Sequence, residues 1–354
     1  MSHKGKTALL GLCIVLAACG ETSTRDLTGP GLSTAEGTEL QSLSDSWSAK
    51  RSLSPVRNDM VAGAINGIIY VVGGVHTDWV TAPFRSYQLS RVDAYNTGTN
   101  AWSRVASLPG PRFQANGASV INGRLYVTGG NRFGPTASYI PTKTLFVYDP
   151  GTNSWGRRAD MPQPGCNGVQ GVIAGKLYVY MPSIQACDGS SSSTVVRFYR
   201  YNPPTDTWVS RALPPAHLSF PAGGVIDGKF YIVASTSSSL RPSPLYVYEP
   251  VSNTWQEKAS MSQSRASMVG AVLNGRLYMV GGSDVGSEKP QPRLEVYNPM
   301  TNSWAIKTAL RFGTTDGAAV GAAGKVYYIT GRIFPTEGAW ELLPEVSEVY
   351  AYMP

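Results

Sequence analysis

An all-β fold of six blades, each of four antiparallel strands and closed into a propeller, is what this sequence predicts. Three observations predict it. A Gly-x-hydrophobic-Tyr quartet recurs six times, a Tyr strand follows each quartet with a Trp behind nearly every one, and the repeats return about every 50 residues. Composition agrees, since 38 Gly and 25 Pro in 354 residues do not suit a helical bundle. Nor do 19 Tyr and 8 Trp suit a disordered or collagen-like polymer. At this length a single conventional core is near its upper size, which a repeat architecture relieves.

The quartets are Gly67 to Tyr70, Gly123 to Tyr126, Gly175 to Tyr178, Gly228 to Tyr231, Gly275 to Tyr278 and Gly324 to Tyr327. Asn66, Asn122, Ala174, Asp227, Asn274 and Ala323 precede them. Asn-Gly and Asp-Gly are favoured two-residue hairpin turns because both positions need positive φ, so each quartet opens the second strand of a hairpin. A Gly pair ends that strand at Gly73-Gly74, Gly129-Gly130 and Gly281-Gly282, with Thr330-Gly331 keeping half of it. The third strands carry Tyr95, Tyr148, Tyr201, Tyr248, Tyr297 and Tyr350, spaced 53, 53, 47, 49 and 53 residues apart. Seven residues after the first five of these come Trp102, Trp155, Trp208, Trp255 and Trp304, beyond a polar turn.

Gly-Gly, then Tyr, then Trp resembles the kelch repeat over nearly the whole chain after residue 46. The resemblance implies a six-bladed kelch β-propeller of the galactose-oxidase-like superfamily, in which a blade buries its faces only by stacking on its neighbours. Blades three and four depart from it, with Tyr180-Met181 and Ala234-Ser235 where the Gly pair is expected. Trp47 has no hairpin before it, and Tyr350 has no Trp strand after it. An N-terminal strand over residues 46–51 is therefore expected to complete the C-terminal blade and to leave no open sheet edge.

Ahead of that strand, residues 1–6 are short and basic and residues 7–18 are apolar. Such a run is too short to span a bilayer but long enough for a signal-peptide core. Leu16-Ala17-Ala18-Cys19 followed by Gly20 resembles the lipobox of bacterial lipoproteins, which implies removal of residues 1–18 and lipidation of Cys19. The alternative is an ordinary secretory signal cut after Ala18. Residues 19–45 read as the lipidated Cys and a flexible tether, and residues 46–354 as the propeller. The expected location is the cell envelope, lipid-anchored at an outer membrane or cell surface.

Sites come from residues the repeat leaves over. Connections between blades pass nearest the axis, and they carry Arg57, Arg112, His217, Arg265 and Arg311, with Asn58, Asp59, Gln114, Asn116, Asn167, Gln170 and Asp316 nearby. Converging guanidinium groups would bind carboxylate or phosphate; the alternative is that they bond to backbone carbonyls of adjacent blades. Trp79 and Trp340 fall outside the pattern, on long loops of blades one and six. They suit stacking on a sugar or a protein surface, or packing of the two loops on each other. Cys166 and Cys187 flank the first hairpin of blade three, so in an exported protein a disulfide is expected, with two free thiols as the alternative.

The net charge of +7 is spread thinly, so no nucleic-acid partner is expected. No metal-ligand spacing, nucleophile elbow, P-loop or dinucleotide fingerprint is present, and no cofactor is expected. The Tyr-His pair of a copper-radical oxidase and the Asp-box turns of a sialidase are lacking too. The expectation is a monomeric surface module binding a carbohydrate or protein ligand, anchored to the membrane through Cys19. Kelch-like folds also include the exported sialic acid mutarotases, so a sugar mutarotase or epimerase is the alternative. Such an enzyme would draw its cation from Arg57, Arg112 or Arg265 and its proton donor from Asp59, His217 or Asp316.

Overall fold

A computed structural model of the chain describes residues 44–78, 85–134, 138–182, 196–235, 241–334 and 347–354. Six four-stranded antiparallel sheets lie among the described residues from Ser44 to Pro354. Blade one is typical: Val61–Ile65, Ile68–Val72, Val92–Asn96 and Ala101–Val105 follow each other from first to fourth strand. In blade six the fourth strand is Ser46–Lys50, antiparallel to Val349–Met353. The innermost strands of the six blades surround the axis, and short two-stranded ribbons such as Val75–Asp78 with Arg85–Gln88 extend from the same end. No helix among the described residues is long and apolar enough to cross a membrane.

The hairpins form as the sequence dictates. Asn66, Asn122, Ala174, Asp227, Asn274 and Ala323 all have positive φ, between 46° and 50°, and the Gly after each is positive as well. Two alanines thus accept a conformation that Asn tolerates better, because the turn geometry and not the side chain is what the sheet twist requires. The Gly pair has a different use. Gly73 and Gly74 have φ of 65° and 101°, and a Cβ on Gly73 would lie 2.2 Å from the Arg112 carbonyl oxygen of the next blade. The Gly74 amide donates to that same carbonyl at 2.8 Å, so the pair is the point where two blades touch backbone to backbone.

Further out the wedge between blades is filled by one device used six times. In blade two, Tyr148 and Trp155 are cross-strand partners with ring centroids 5.1 Å apart. The Tyr148 hydroxyl donates to Asn153 Oδ1, which also accepts the Ala106 amide of blade one, while Trp155 Nε1 donates to the Ala106 carbonyl. The same three bonds recur around Asn100, Asp206, Asn253 and Asn302. In blade six the tyrosine is Tyr352, not the expected Tyr350. Tyr352 pairs with Trp47 in register and donates to Asp45, so the last Tyr spacing is two residues longer than read from the sequence. Asp45, placed in the tether, is thereby part of the propeller. Its carboxylate is held below the usual range, chiefly by the Tyr352 hydroxyl and then by the Thr308 amide.

The buried side chains sort into six clusters, each shared by two adjacent blades. None belongs to one blade alone, which is why single blades have no stability of their own.

Candidate functional site

A channel of about 390 Å³ runs along the axis, and its walls are the innermost strands. Most wall residues are Gly, Ala and Val, so the polar groups concentrate at one rim. There each blade contributes one non-glycine residue in the left-handed region: Asp59 (57°), Gln114 (52°), Asn167 (49°), Phe220 (45°), Ser267 (53°) and Asp316 (57°). Backbone bonds link several of them from blade to blade. The Asp59 amide donates to the Asp316 carbonyl, Gln114 to Asp59 and Asn167 to Gln114, at 2.8–2.9 Å. All six residues line the channel. Five of the six are Asp, Asn, Gln or Ser; Asp and Asn in particular bear positive φ at low cost.

Asp59 and Asp316 adjoin where blades one and six meet. Gln114 bonds to the Asp59 carboxylate and is itself oriented by Asn131 Nδ2 at 3.0 Å; Asp316 Oδ2 accepts from Thr315 and lies 3.8 Å from Arg332 Nε. Burial first, and then the Asp316 charge, push the Asp59 carboxyl up to about 7. An acid raised in the folded state holds its proton more tightly there than in the unfolded chain. Its stabilisation is therefore complete below about pH 4 and is lost as pH rises through 7. We expect Asp59→Asn to remove a decline of roughly 2 kcal/mol between pH 5 and pH 8 in urea unfolding. An unchanged pH slope in the variant would show that Asp59 is ionised throughout.

Arg57, Arg112 and Arg265 are buried, and none of them lines the channel. Arg57 is fully buried, with Nη2 2.6 Å from Asp93 Oδ2 on the third strand of its own blade. Arg265 is equally buried, bonded to the Gly281 and Arg293 carbonyls and paired with Glu295 at 3.3 Å. Asp93 and Glu295 sit two residues before the repeat tyrosines Tyr95 and Tyr297. Blade two has Phe146 at that position, and there Arg112 lies over the ring at 5.6 Å and bonds to Pro111 O and Thr144 Oγ1. Burial lowers all three guanidinium pKa values, Arg112 and Arg265 to about 10.

The remaining expected residues disperse. Arg311 does not occupy the equivalent place in blade six; it is exposed and donates to the Tyr350 hydroxyl at 2.7 Å. His217 is exposed beside the rim, its Nδ1 3.2 Å from Ser219 Oγ. Asn116 lines the channel yet is 2% exposed, its Oδ1 accepting the Gly168 amide and its Nδ2 donating to Thr128. Among the described residues, Asp59 is the expected ligand residue that lines the channel while only partly buried. Trp79, Trp340, Cys187 and Cys19 lie outside the described residues; Cys166 is completely buried.

Sequence reasoning missed three exposed aromatic groups, of which Phe220 lines the channel. Phe220 is 45% exposed at the rim, Tyr139 is 45% exposed over Phe133 and Phe113, and Tyr87 is 47% exposed and stacked on His76. The signal that could have found Phe220 is its place two residues after Leu218, where other blades carry Arg57-x-Asp59, Arg112-x-Gln114 and Arg265-x-Ser267. No group of three or more His, Cys, Asp or Glu with metal-holding geometry is present among the described residues.

Kelch motifs match residues 57–109, 114–162 and 264–309, which fall in blades one, two and five. The chain is 26% identical over 180 residues to the kelch-like protein terF of Aspergillus terreus, covering 50% of this chain and 38% of that protein. It is 32% identical over 133 residues to mouse kelch-like protein 36, covering 37% of this chain and 20% of the other. It thus spans well under half the length of these relatives. The solved structure of YjhT superposes with a TM-score of 0.64 at 15% identity, covering 85% of this chain and 95% of YjhT, a likeness of fold. Motifs, relatives and six four-stranded sheets agree: this chain carries kelch motifs on a six-bladed β-propeller.

Proposed function

We propose that the propeller is an exported, lipid-anchored binding module that takes a protein segment or a carbohydrate over the rim of its channel. One observation carries this reading: Phe220. It is the bulky member of a ring of six left-handed residues, where the steric cost for a side chain is about 1–2 kcal/mol. It stays half exposed, so packing does not recover that cost. Strain retained at an opening is a mark of function, and an aromatic face beside carboxylate and amide groups suits a sugar ring or an extended peptide. Phe220→Asn is expected to stabilise the fold by about 1 kcal/mol. In a parallel screen of a glycan array and a displayed peptide library, it should weaken hits of the parent protein at least tenfold. Hits that survive the substitution, or a lower melting temperature, count against this placement.

The anchor at Cys19 rests on the lipobox-like run, and a Cys166–Cys187 disulfide on the burial of Cys166 in an exported chain. The bridge would add roughly 3 kcal/mol in the chain-entropy model. Mass spectrometry reads both, as an acylated N-terminal peptide and a cross-linked pair; unmodified peptides would remove them.

The adjoining Asp59 and Asp316 favour a second reading, a sugar mutarotase or epimerase. A carboxyl near neutrality is suited to passing a proton to and from a ring oxygen. The arginines expected to hold a sugar acid are buried, so the reading rests on this pair alone. Anomer exchange of N-acetylneuraminate by NMR, abolished in Asp59→Asn, would support it; exchange no faster than in buffer would end it.

A further inference from the structure

On the face opposite the channel rim, a second cavity of about 440 Å³ opens between blades two and three. It lies among the Asn122-Gly123 and Ala174-Gly175 hairpin turns and the turn at Asn202, with Pro203 and Pro204 forming a stiff wall. Its charged lining residues are Arg124, Arg158 and Lys176, and no carboxylate lines it.

Arg124 is fixed by Asp149, whose Oδ2 accepts Nε at 2.9 Å and Nη2 at 2.8 Å. Asp206 lies near Arg158, but its Oδ1 is occupied by the Tyr201 hydroxyl and the Ala159 amide. Neither Arg158 nor Lys176 has an ion-pair or hydrogen-bond partner among the described residues. At the junctions of blades three with four and of blades five with six, corresponding cations are committed. Arg211 donates to the Tyr248 hydroxyl and the Pro250 carbonyl, Lys229 pairs with Glu249 at 3.0 Å, and Lys307 lies 3.7 Å from Asp45. Like charges gathered around a concavity repel one another, and an anion between them relieves that repulsion.

We propose that this inter-blade cleft binds the oxyanion of a phosphate or sulfate monoester. Arg158 offers a planar fork, Lys176 a point charge from the next blade, and Arg124 a guanidinium held in place by Asp149. Asn122 and Tyr126 also line the cleft and carry neutral donor groups. Having partners on two blades, the anion would tie them together, so occupancy should raise the melting temperature.

Inorganic phosphate is the probe, titrated calorimetrically into the purified protein at constant ionic strength against chloride. Saturable binding is expected, weakened at least tenfold by Arg158→Gln and by Lys176→Gln and unchanged by Arg276→Gln, an exposed cation on blade five. All three positions are at the surface, so the variants should fold. Absence of saturation, or equal affinity in both cleft variants, would overturn the proposal. Co-sedimentation with phosphatidic acid vesicles, compared with phosphatidylcholine, separates the two sources of such a group. Sedimentation lost in Arg158→Gln assigns a lipid headgroup, and phosphate binding without sedimentation assigns a soluble ester.

Discussion

A chain beginning at residue 52 should unfold without a cooperative transition, in contrast to one beginning at Ser44. The eight residues by which they differ close two seams at once. Trp47 packs tilted against Tyr352, ring centroids 5.1 Å apart, and donates to the Thr308 carbonyl of blade five, while Asp45 accepts the Tyr352 hydroxyl and the Thr308 amide. On the other side Arg51 gives its amide to Asn100 and its carbonyl to Trp102 of blade one. Removing them breaks five such bonds, each worth about 1 kcal/mol net, and unpairs all of Val349–Met353 on one side. Uncovering the clusters on both faces of blade six adds several kcal/mol more. Against a total of roughly 5–15 kcal/mol for a folded protein, little remains. Urea unfolding followed by circular dichroism decides it. Equal midpoints and slopes for the two chains would mean that the ring does not depend on this strand.

Sequence period made the blades legible because each depends on residues that act locally: a turn needing positive φ, and a Tyr and Trp paired across one hairpin. Blade six shows where that logic stops. Val349-Tyr350-Ala351-Tyr352 offers two tyrosines, and the Trp that selects between them is Trp47, some three hundred residues away in the chain. The spacing of seven residues that served the other blades has no meaning across the chain ends. Asp45 could have settled it, since it occupies the place of Asn100 and Asn153, five residues after their tyrosines.

The channel rim was half legible for a related reason. Arg57, Arg112 and Arg265 precede the innermost strands in sequence, but a side chain's direction depends on what lies under it. A carboxylate two residues before the repeat tyrosine, Asp93 or Glu295, draws the arginine inward; Phe146 offers a ring instead. Meanwhile Asp59, Gln114 and Phe220, with their left-handed backbone, line the channel. No composition or hydrophobic period reports on that conformation, and so an expected basic funnel became a rim of carboxylate, amide and aromatic groups.

Glu295→Ala is expected to cost about 3–5 kcal/mol, because Arg265 would be left charged and without its partner inside the protein. Both side chains are fully buried. Glu295 Oε1 faces Arg265 Nη2, and its Oε2 accepts the Ser262 amide at 3.1 Å, so truncation also leaves a backbone donor unsatisfied. Arg293, 4.0 Å from the carboxylate and partly exposed, can turn to solvent; Arg265 cannot. Burial lowers its pKa and the Glu295 charge opposes that, but a guanidinium keeps its proton inside proteins, so it does not escape by losing its charge at pH 7. Glu295→Gln keeps the shape and an acceptor for Ser262 and should cost less than Glu295→Ala. The pair Arg265→Met with Glu295→Met removes both charges and should recover most of the loss, since an apolar replacement of a buried ion pair is often neutral. Urea unfolding of the three variants separates the cases. If Glu295→Ala and the double variant are equally unstable, lost volume rather than an orphaned charge sets the cost, and Arg265 is not held by Glu295.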